Sequence, residues 1–493
     1  MSTFTAWPFD NSFARLPKQF YSRLLPTPVA DPQTIRINQV LAEQLELDAN
    51  WLVGTDGTAI LAGNALPKGA EPLAAAYAGH QFGSFNPRLG DGRAILLGEV
   101  LTRNKHRFDI QLKGSGPTPY SRNGDGRSPL GPVLREYLVS EAMANLGVPT
   151  SRALAAVSTG ERVYRERPLP GAVLTRVASS HIRIGSFEYF SARKDTNSLQ
   201  ALTRYVIERH YPEAATTDNP VRALLQSVVI RQAALIARWQ LLGFIHGVMN
   251  TDNMLICGET IDYGPCAFME YFDPGTVFSS IDSNGRYAYR NQPGIGQWNL
   301  AVLAQCLLPL LHPQQEHAVE LAQAAIDSFN DHFLSSYHEG LRTKLGWHGS
   351  HPDDEAMVQE LFTLLADEPT DFTLFFRRLA DFAAPNNSTT VEALQIMPAR
   401  FLPWLQRWQA RCTQDNLNAS ERQRSMYRAN PVFIPRNHLV EEAIAAAQNE
   451  GNFQPFHKLT ERLLQPFDYD PTDEHYARPA TTAERVDRTF CGT

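Results

Sequence analysis

The sequence lacks the features that mark secreted, membrane-spanning and zinc-containing proteins. Its 493 residues include only five cysteines, and no two of them form a CxxC pair. An odd number of scattered cysteines argues against a disulfide framework and structural zinc, and it suits a reducing compartment. The N-terminus shows no secretory signal, and no segment approaches the ~18 apolar residues that a spanning helix needs. We therefore expect a cytoplasmic protein with no membrane partner.

An excess of positive charge is also missing. The chain has 45 Lys and Arg residues against 52 Asp and Glu residues, which gives a formal net charge of -7. This balance argues against a general nucleic-acid binder, because such a protein needs a basic surface. Any site for an anionic ligand must therefore be local. The hydrophobic share of 43% and the charged share of 20% are ordinary for a folded globular protein.

The length and the order of patterns predict more than one structural unit. A chain this long exceeds what one hydrophobic core fills, so we expect a main body with an appended helical region. Strand patterns, a helix, further strands and then helices favour an α+β, two-lobed architecture. We predict a monomer with an N-terminal extension over 1–75, a core over 76–320 and a helical region over 321–493. That region ends near Cys491, which is interpreted as part of an inert tail or, alternatively, as a redox residue.

A predicted strand and helix carry the first candidate pair. Segments 93–100 and 106–113 are predicted to be strands, and the second alternates so that Lys113 points away from the apolar face. A glycine-containing loop follows, and then 132–146 is predicted to be a helix with Glu136 in its first half. In ATP-dependent phosphotransferases a strand lysine holds phosphate oxygens while a helical glutamate orients it. Taken alone, a strand lysine is more often a solvated edge charge.

The second candidate pair follows a long apolar helix predicted over 221–244. The loop 246–253 ends at Asn253, and Asp262 lies nine residues further on. An amide oxygen and a carboxylate are hard ligands of the kind that a nucleotide-bound Mg²⁺ prefers. The apolar residues between them predict a small hairpin that presents Asn253 and Asp262 on one side. Each alone is more often a turn residue, whereas their joint spacing favours a metal site.

Two copies of Gly-Asp-Gly-Arg and two arginines form a third group. The copies lie at 90–93 and 124–127, where glycine would let backbone N–H groups converge on an anion that the arginine also binds. The alternative is two ordinary Asp-Gly turns, because neither copy matches a Walker motif or a kinase glycine loop. Arg176 and Arg183 could reach one anionic ligand or form surface ion pairs.

Together these segments resemble the selenoprotein O family over roughly residues 70–310. The resemblance rests on YAGHQFG at 77–83, LGDGR at 89–93, QLKGSGP at 111–117, GDGRS at 124–128, HGVMNTDN at 246–253 and IDYGP at 261–265. Members of that family are similar to protein kinases in fold, but they bind ATP in a flipped orientation and transfer AMP to Ser, Thr or Tyr of proteins. Bacterial members are also associated with UMP transfer that uses Mn²⁺. Many eukaryotic members carry selenocysteine in the region of Cys491.

The resemblance implies a site for ATP or UTP, with a protein as the second substrate. Lys113 and Arg176 would hold the distal phosphates of the nucleotide, and Glu136 would orient Lys113. The other nucleotide contacts would come from Gly90, Gly92, Arg93, Asp125, Gly126, Arg183 and Asp262.

The resemblance also implies that Asn253 and Asp262 bind Mg²⁺ or Mn²⁺ and that Asp252 is the catalytic base. The residues themselves support one part of this interpretation. In the kinase loop HRDxxxxN the base lies five residues before the metal-binding Asn, and that position here is Val248, which cannot accept a proton. Ordinary kinase chemistry is therefore disfavoured. A kinase with an unusual base and an inactive ATP-binding scaffold stay open as alternatives.

Overall fold

The computed structural model describes residues 7–384 and 397–490, and Cys491 lies outside them. The strands are β1 (Tyr21–Arg23), β2 (Gln33–Ile37), β3 (Leu73–Ala75), β4 (Gly79–Gln81), β5 (Ser84–Asn86), β6 (Ala94–Leu101), β7 (Arg107–Lys113), β8 (Ser128–Pro129), β9 (Arg152–Tyr164), β10 (Pro168–Ala178), β11 (Phe244–Ile245) and β12 (Ala267–Phe268). The fold is a mixed α/β arrangement in which strands dominate the first part of the chain and helices the second.

Helices lie between the strands along the chain and make up most of the described residues after β12. The first group is α1 (Gln39–Gln44), α2 (Ala49–Val53), α3 (Thr55–Ala62), α4 (Leu130–Asn145), α5 (Ile184–Ala192), α6 (Thr196–His210), α7 (Pro220–Leu242) and α8 (Gln292–Leu311). The second group is α9 (Gln315–Asp327), α10 (Phe329–Lys344), α11 (Asp354–Asp367), α12 (Phe372–Leu379), α13 (Leu402–Cys412), α14 (Ala419–Ala429), α15 (Asn437–Glu450), α16 (Gln454–Leu463) and α17 (Glu474–Ala477). The predicted helices after the core strands are thus confirmed.

An antiparallel sheet of eight strands within the described ranges is the frame of the site. Its order is β1-β3-β6-β7-β10-β9-β2, and the short β8 pairs with β10 at Gly171 and Ala172. The predicted strands at 93–100 and 106–113 are confirmed as β6 and β7. Three strands from the first 75 residues, β1, β2 and β3, belong to this sheet, so the N-terminal segment is joined to the body by backbone hydrogen bonds.

The two faces of β7 differ as its alternation predicts. Ile110 and Leu112 pack against α1–α3 together with Leu97 and Val173. Lys113 lies on the opposite face with Gln111, and that polar face is buried as well, because Gln111 has no exposed surface. The alternative of a solvated edge lysine is therefore wrong, since the sheet continues past β7 to β10, β9 and β2.

Two helices correct the expectation that no segment is apolar enough to span a membrane. The helices Pro220–Leu242 and Tyr289–Leu311 are long and apolar enough to span a membrane by length and composition. An 18-residue segment can have a high mean hydropathy even when it contains a few polar residues. About half of each apolar window, 50% and 44%, is buried inside the protein. Their apolar residues, among them Leu225, Trp239 and Leu303, belong to the largest core cluster. Packing within the protein thus accounts for their composition.

The small hairpin predicted between Asn253 and Asp262 is reduced to one antiparallel bridge, between Met254 and Thr260. The backbone of 254–256 pairs instead with 182–184: Ile184 N donates to Met254 O at 3.0 Å, and Ile256 N donates to Ile182 O at 2.9 Å. The hydrogen bonds of a local hairpin are thus replaced by long-range ones. This pairing places the loop that carries Arg183 beside the segment that leads to Asp262.

Candidate active site

One cavity of about 720 Å³ brings together every residue that the sequence nominates. This volume is typical of a site for a small organic ligand. The nominated residues that line it are Gly90, Gly92, Arg93, Lys113, Asp125, Gly126, Glu136, Arg176, Arg183, Asp252, Asn253 and Asp262. Glycine-rich turns, strand ends, one helix and the 246–262 segment thus meet at one place, although they are far apart in sequence.

A buried ion-pair network occupies one wall of this cavity. Lys113 Nζ lies 2.5 Å from Glu136 Oε2 and 2.8 Å from Asp262 Oδ1. Arg176 Nη1 contacts the same two carboxylates, each at 3.1 Å. Gln111 fixes the guanidinium by accepting from Arg176 Nη2 at 2.6 Å. β7 and β10 thus direct Lys113 and Arg176 toward Asp262, which faces the cavity, and α4 supplies Glu136 as their second carboxylate partner.

Arg183 adds a third cation from the other side of Asp262. Its Nη1 lies 3.3 Å from Asp262 Oδ2 and donates to the backbone carbonyl of Asp252 at 2.5 Å. Its guanidinium also lies over the ring of Tyr77, 4.6 Å from the centroid. Arg176 and Arg183 have side chains that are 2% and 3% exposed, so the alternative of surface ion pairs is wrong for both.

Asp262 is held in an unusual conformation and kept ionised. Its φ of 64° is in the left-handed region, which only a few residue types, aspartate among them, adopt readily. Burial acts to raise the pKa of this carboxyl, but the charges of Lys113, Arg176 and Arg183 outweigh burial and hold the pKa well below its usual range. His246 supports the turn from behind, because its Nε2 contacts Ile261 O at 2.8 Å.

Asp252 and Asn253 lie side by side on a short 3₁₀ turn, Thr251–Asn253. Burial raises the pKa of Asp252 to about 6, although Arg183 and a hydrogen bond from Gln81 favour the charged form. Asn253 Nδ2 donates to Val248 O at 3.0 Å, so its amide oxygen is the atom that remains to act as a ligand. Val248 itself offers this pocket an apolar side chain.

The two Gly-Asp-Gly-Arg copies each contain a glycine in the left-handed region, but a Cβ would meet a different neighbour in each. Gly90 has a φ of 82°, and a Cβ there would lie 2.3 Å from the ring of Tyr120. Gly126 has a φ of 65°, and a Cβ there would lie 2.1 Å from the backbone of Gly116. Both positions therefore require glycine for conformation and for space. Tight turns are thus present in both copies, and both also line the cavity.

Sequence reasoning missed several side chains that hold this arrangement. Gln111 lies on the same face of β7 as Lys113, two residues earlier, and it donates to Asp91 Oδ2 at 3.1 Å while accepting from Arg176. Strand alternation could have identified it. Arg165 pairs with both oxygens of Asp125, at 2.9 and 3.1 Å, from the turn between β9 and β10. No local signal marks that contact, which links residues 40 positions apart.

The oxygen donors of the site fit an ion that also binds phosphate. Among the residues that the structure describes, no group of three or more His, Cys, Asp and Glu side chains could hold a metal on its own. Asn253 and Asp262 offer one amide oxygen and one carboxylate to the same cavity. Mg²⁺ is commonly held by one or two carboxylates plus substrate phosphates and water. The donor set therefore fits an ion that arrives with a nucleotide.

Comparisons with known proteins agree over nearly the whole length. A family model described as "Protein adenylyltransferase SelO" matches residues 3–464. A "Protein nucleotidyltransferase YdiU" of Rhodopseudomonas palustris is 57% identical over 488 residues, which cover 99% of both chains. A protein of the same name from Rhizobium rhizogenes is 57% identical over 487 residues, 99% of this chain and 97% of that one. Another from Bradyrhizobium diazoefficiens is 55% identical over 99% of both chains.

Proposed function

This chain belongs to the SelO protein adenylyltransferase family and is a nucleotidyltransferase, and we propose that it transfers AMP from ATP to Ser, Thr or Tyr hydroxyls of other proteins. One observation carries the proposal. Lys113, Arg176 and Arg183 converge on Asp262 in a cavity that also contains Asp252, while Val248 occupies the position of the usual kinase base. The site thus has anion-binding groups and a carboxylate base, but the base is not where phosphate transfer to a protein needs it.

The buried cations Lys113 and Arg176 stabilise the negative charge that develops on the leaving pyrophosphate in the proposed reaction. In the proposed complex Lys113 and Arg176 hold the distal phosphates, and phosphate oxygens replace Asp262 Oδ1 as a partner of each. Glu136 remains 2.5 Å from Lys113 and keeps its ammonium in place. The developing negative charge of pyrophosphate then meets donors that are already oriented, which is where most of the catalytic effect in such reactions arises.

Proton transfer falls to Asp252. A carboxyl with a pKa of about 6 is mostly ionised at neutral pH and can accept the proton of an acceptor hydroxyl. The hydroxyl oxygen then forms a bond to the α-phosphorus, and the bond between that phosphorus and the oxygen bridging to the β-phosphate breaks. The proton ends on Asp252, AMP is attached to the protein, and pyrophosphate leaves.

Asn253 and Asp262 would hold Mg²⁺ or Mn²⁺, which when bound neutralises charge on the phosphate oxygens. Asp262 is suited to this task because its pKa stays well below the usual range and the carboxyl is therefore ionised. Asn253 is suited because its Nδ2 is already engaged by Val248 O, which orients the amide.

The nucleotide orientation and the two-lobed arrangement are parts of the same proposal. A strand lysine paired with a helical glutamate, here on β7 and α4, is the arrangement that kinases use around ATP. With the base at Asp252 rather than at position 248, the α-phosphate has to lie beside the 3₁₀ turn, so we place ATP in the flipped orientation. UTP is the alternative nucleotide, and a monomer that acts in the cytoplasm stays a prediction.

Radioactive ATP distinguishes this function from its alternatives. We expect label from α-³²P-ATP on acceptor protein in a lysate, and we expect Asp262→Ala to lower labelling on the order of 10²-fold or more, because a cavity carboxylate is lost. Asp331→Ala, which removes an exposed carboxylate on α10, is the matched control and should label like wild type. Transfer of label from γ-³²P-ATP instead would establish a kinase, and pyrophosphate formation from neither ATP nor UTP would favour the inactive scaffold.

A further inference from the structure

We propose that Gln81 is a positioning residue that orients the Asp252 carboxylate for proton transfer, and that the hairpin of β4 and β5 exists to hold it there. The inference rests on the proposed function, because it concerns the base of that reaction. The hairpin covers residues 79–86 and overlaps the motif 77–83, for which the sequence alone suggests no task. Gln81 lines the same cavity as Asp252, and its Nε2 donates to Asp252 Oδ2 at 3.0 Å.

The turn of this hairpin is strained. Phe82 and Gly83 connect β4 to β5 and have φ values of 52° and 84°, as in a type I′ turn. Glycine and asparagine adopt this geometry readily, whereas a bulky phenylalanine does not. Such a conformation persists only when surrounding contacts hold it, and it is concentrated at functional sites. The contacts of Phe82 and its neighbours therefore indicate the functional role of this turn.

Three successive hairpin residues bind three successive residues of the base-carrying segment. His80 N donates to Thr251 Oγ1 at 2.7 Å, and Gln81 Nε2 donates to Asp252 Oδ2. Phe82 N donates to Asn250 Oδ1 at 3.1 Å. Backbone and side-chain donors of residues 80–82 thus bind the segment that carries the base. Phe82 N also lies 3.1 Å from Tyr287 Oη, which itself donates to Asn250 Oδ1 of that segment.

Gly79 lets the hairpin come close enough for these contacts. A Cβ at this position would lie 3.0 Å from both Cβ and Oδ1 of Asp252. Oδ1 is buried and has no hydrogen-bond partner among the described residues, so Gln81 is the side chain that fixes the rotation of the carboxylate through Oδ2. Without this amide, little would prevent the carboxylate from turning.

A second contact, from the residue next to Gln81 on β4, holds the hairpin against α5. His80 Nδ1 lies 2.5 Å from Glu188 Oε1 on α5. Arg183, which binds the backbone carbonyl of Asp252, is the residue that precedes α5. The hairpin, the base and the cation loop therefore form one connected unit, in which Gln81 is the contact to the reacting carboxylate.

Gln81→Met tests the proposal, because methionine keeps the length of the side chain and removes its donor. We expect kcat for AMP transfer from α-³²P-ATP to fall on the order of 10- to 100-fold, as for a misplaced catalytic group. The KM for ATP should stay within about twofold, since Gln81 is not among the phosphate-binding groups. Gln19→Met is the matched control, because Gln19 also donates from its amide to a side chain, Ser198 Oγ at 2.8 Å, but it does not line the cavity.

Gly79→Ala provides a second and independent variant. It leaves the Gln81 amide in place but presses on the Asp252 carboxylate, so it should lower kcat in the same way with little change in KM. Unchanged kcat in Gln81→Met, or a KM that rises in step with the loss of kcat, would overturn the inference. If the wild-type enzyme attaches no AMP to protein, the proposed function is wrong. If the wild-type enzyme is active and Gln81→Met has the same kcat, only the inference about Gln81 is wrong.

Discussion

At the scale of single residues, two ionisable side chains, Asp262 and Lys344, lie in opposite electrostatic environments. In the cavity, Asp262 is ionised because three cations surround it. Far along the chain, Lys344 is 5% exposed and lies against aromatic rings, with Nζ 4.3 Å from the centroid of Phe376. Desolvation lowers the pKa of this lysine to about 7. The cations around Asp262 are available to bind an anionic ligand, whereas the desolvated Lys344 lowers the free energy of unfolding.

Lys344→Met should therefore stabilise the protein, and the gain should depend on pH. Between about pH 7 and the usual lysine value of 10.5, the unfolded chain binds a proton that the folded chain has lost, so the free energy of unfolding rises with pH in wild type. The variant lacks this slope. We expect it to be more stable by roughly 2–4 kcal/mol at pH 7 and by much less near pH 10.

Denaturant unfolding of both proteins at the two pH values measures this difference. Lys458→Met, at an exposed position on α16, is the control and should change stability little at either pH. Equal stability of wild type and Lys344→Met at pH 7 would show that the buried lysine imposes no cost.

At the scale of secondary-structure elements, the local patterns of the core were predictable and their partners were not. Alternation in 106–113 predicts β7 and the side on which Lys113 lies. The same method predicts nothing about the pairing of 254–256 with 182–184, because either segment could satisfy its hydrogen bonds locally. The strain at Phe82 is also invisible in sequence, since phenylalanine does not signal a type I′ turn.

The glycine-rich turns give a prediction at this scale. Gly126→Ala should weaken ATP binding on the order of tenfold, because a Cβ 2.1 Å from the Gly116 backbone forces the loop of 124–127 away from the cavity. Calorimetric titration with ATP measures the change. Gly349→Ala is matched in backbone, with a φ of 83°, but among the described residues no atom beyond its chain neighbours would lie within 4 Å of the added Cβ. It should therefore cost about 1 kcal/mol of stability and leave ATP binding unchanged.

Wild-type ATP affinity in Gly126→Ala would mean that this turn does not form part of the nucleotide site. The result would also distinguish the two Gly-Asp-Gly-Arg copies, since a Cβ at Gly90 would meet the ring of Tyr120 rather than the Gly116 backbone.

At the scale of the whole molecule, the far end of the chain supports the site. Helices α15 and α16 pack against α4, the helix that carries Glu136, in one buried cluster with Leu134, Leu138 and Val440. Phe456 of α16 lies with its ring centroid 5.6 Å from that of Tyr137. The sequence predicts helices in this region but gives no sign of where they dock, because their apolar faces would fit many partners.

Phe456→Ala should test this support. Removing a fully buried ring should lower the free energy of unfolding by about 3–5 kcal/mol and, by loosening α4, raise the KM for ATP. Thermal unfolding and steady-state kinetics report the two effects. Phe490→Ala, at a phenylalanine that is 68% exposed, should leave both unchanged. A destabilised Phe456→Ala with an unaltered KM would show that the C-terminal helices stabilise the fold without acting on the site.

Intact-mass measurement of an acceptor protein, combined with assay of the small-molecule product, tests the attack on the α-phosphorus most directly. After incubation with enzyme, ATP and a divalent metal, we predict that the acceptor gains the mass of AMP and that one pyrophosphate appears for each AMP attached. A gain of the mass of phosphate, accompanied by ADP, would contradict it.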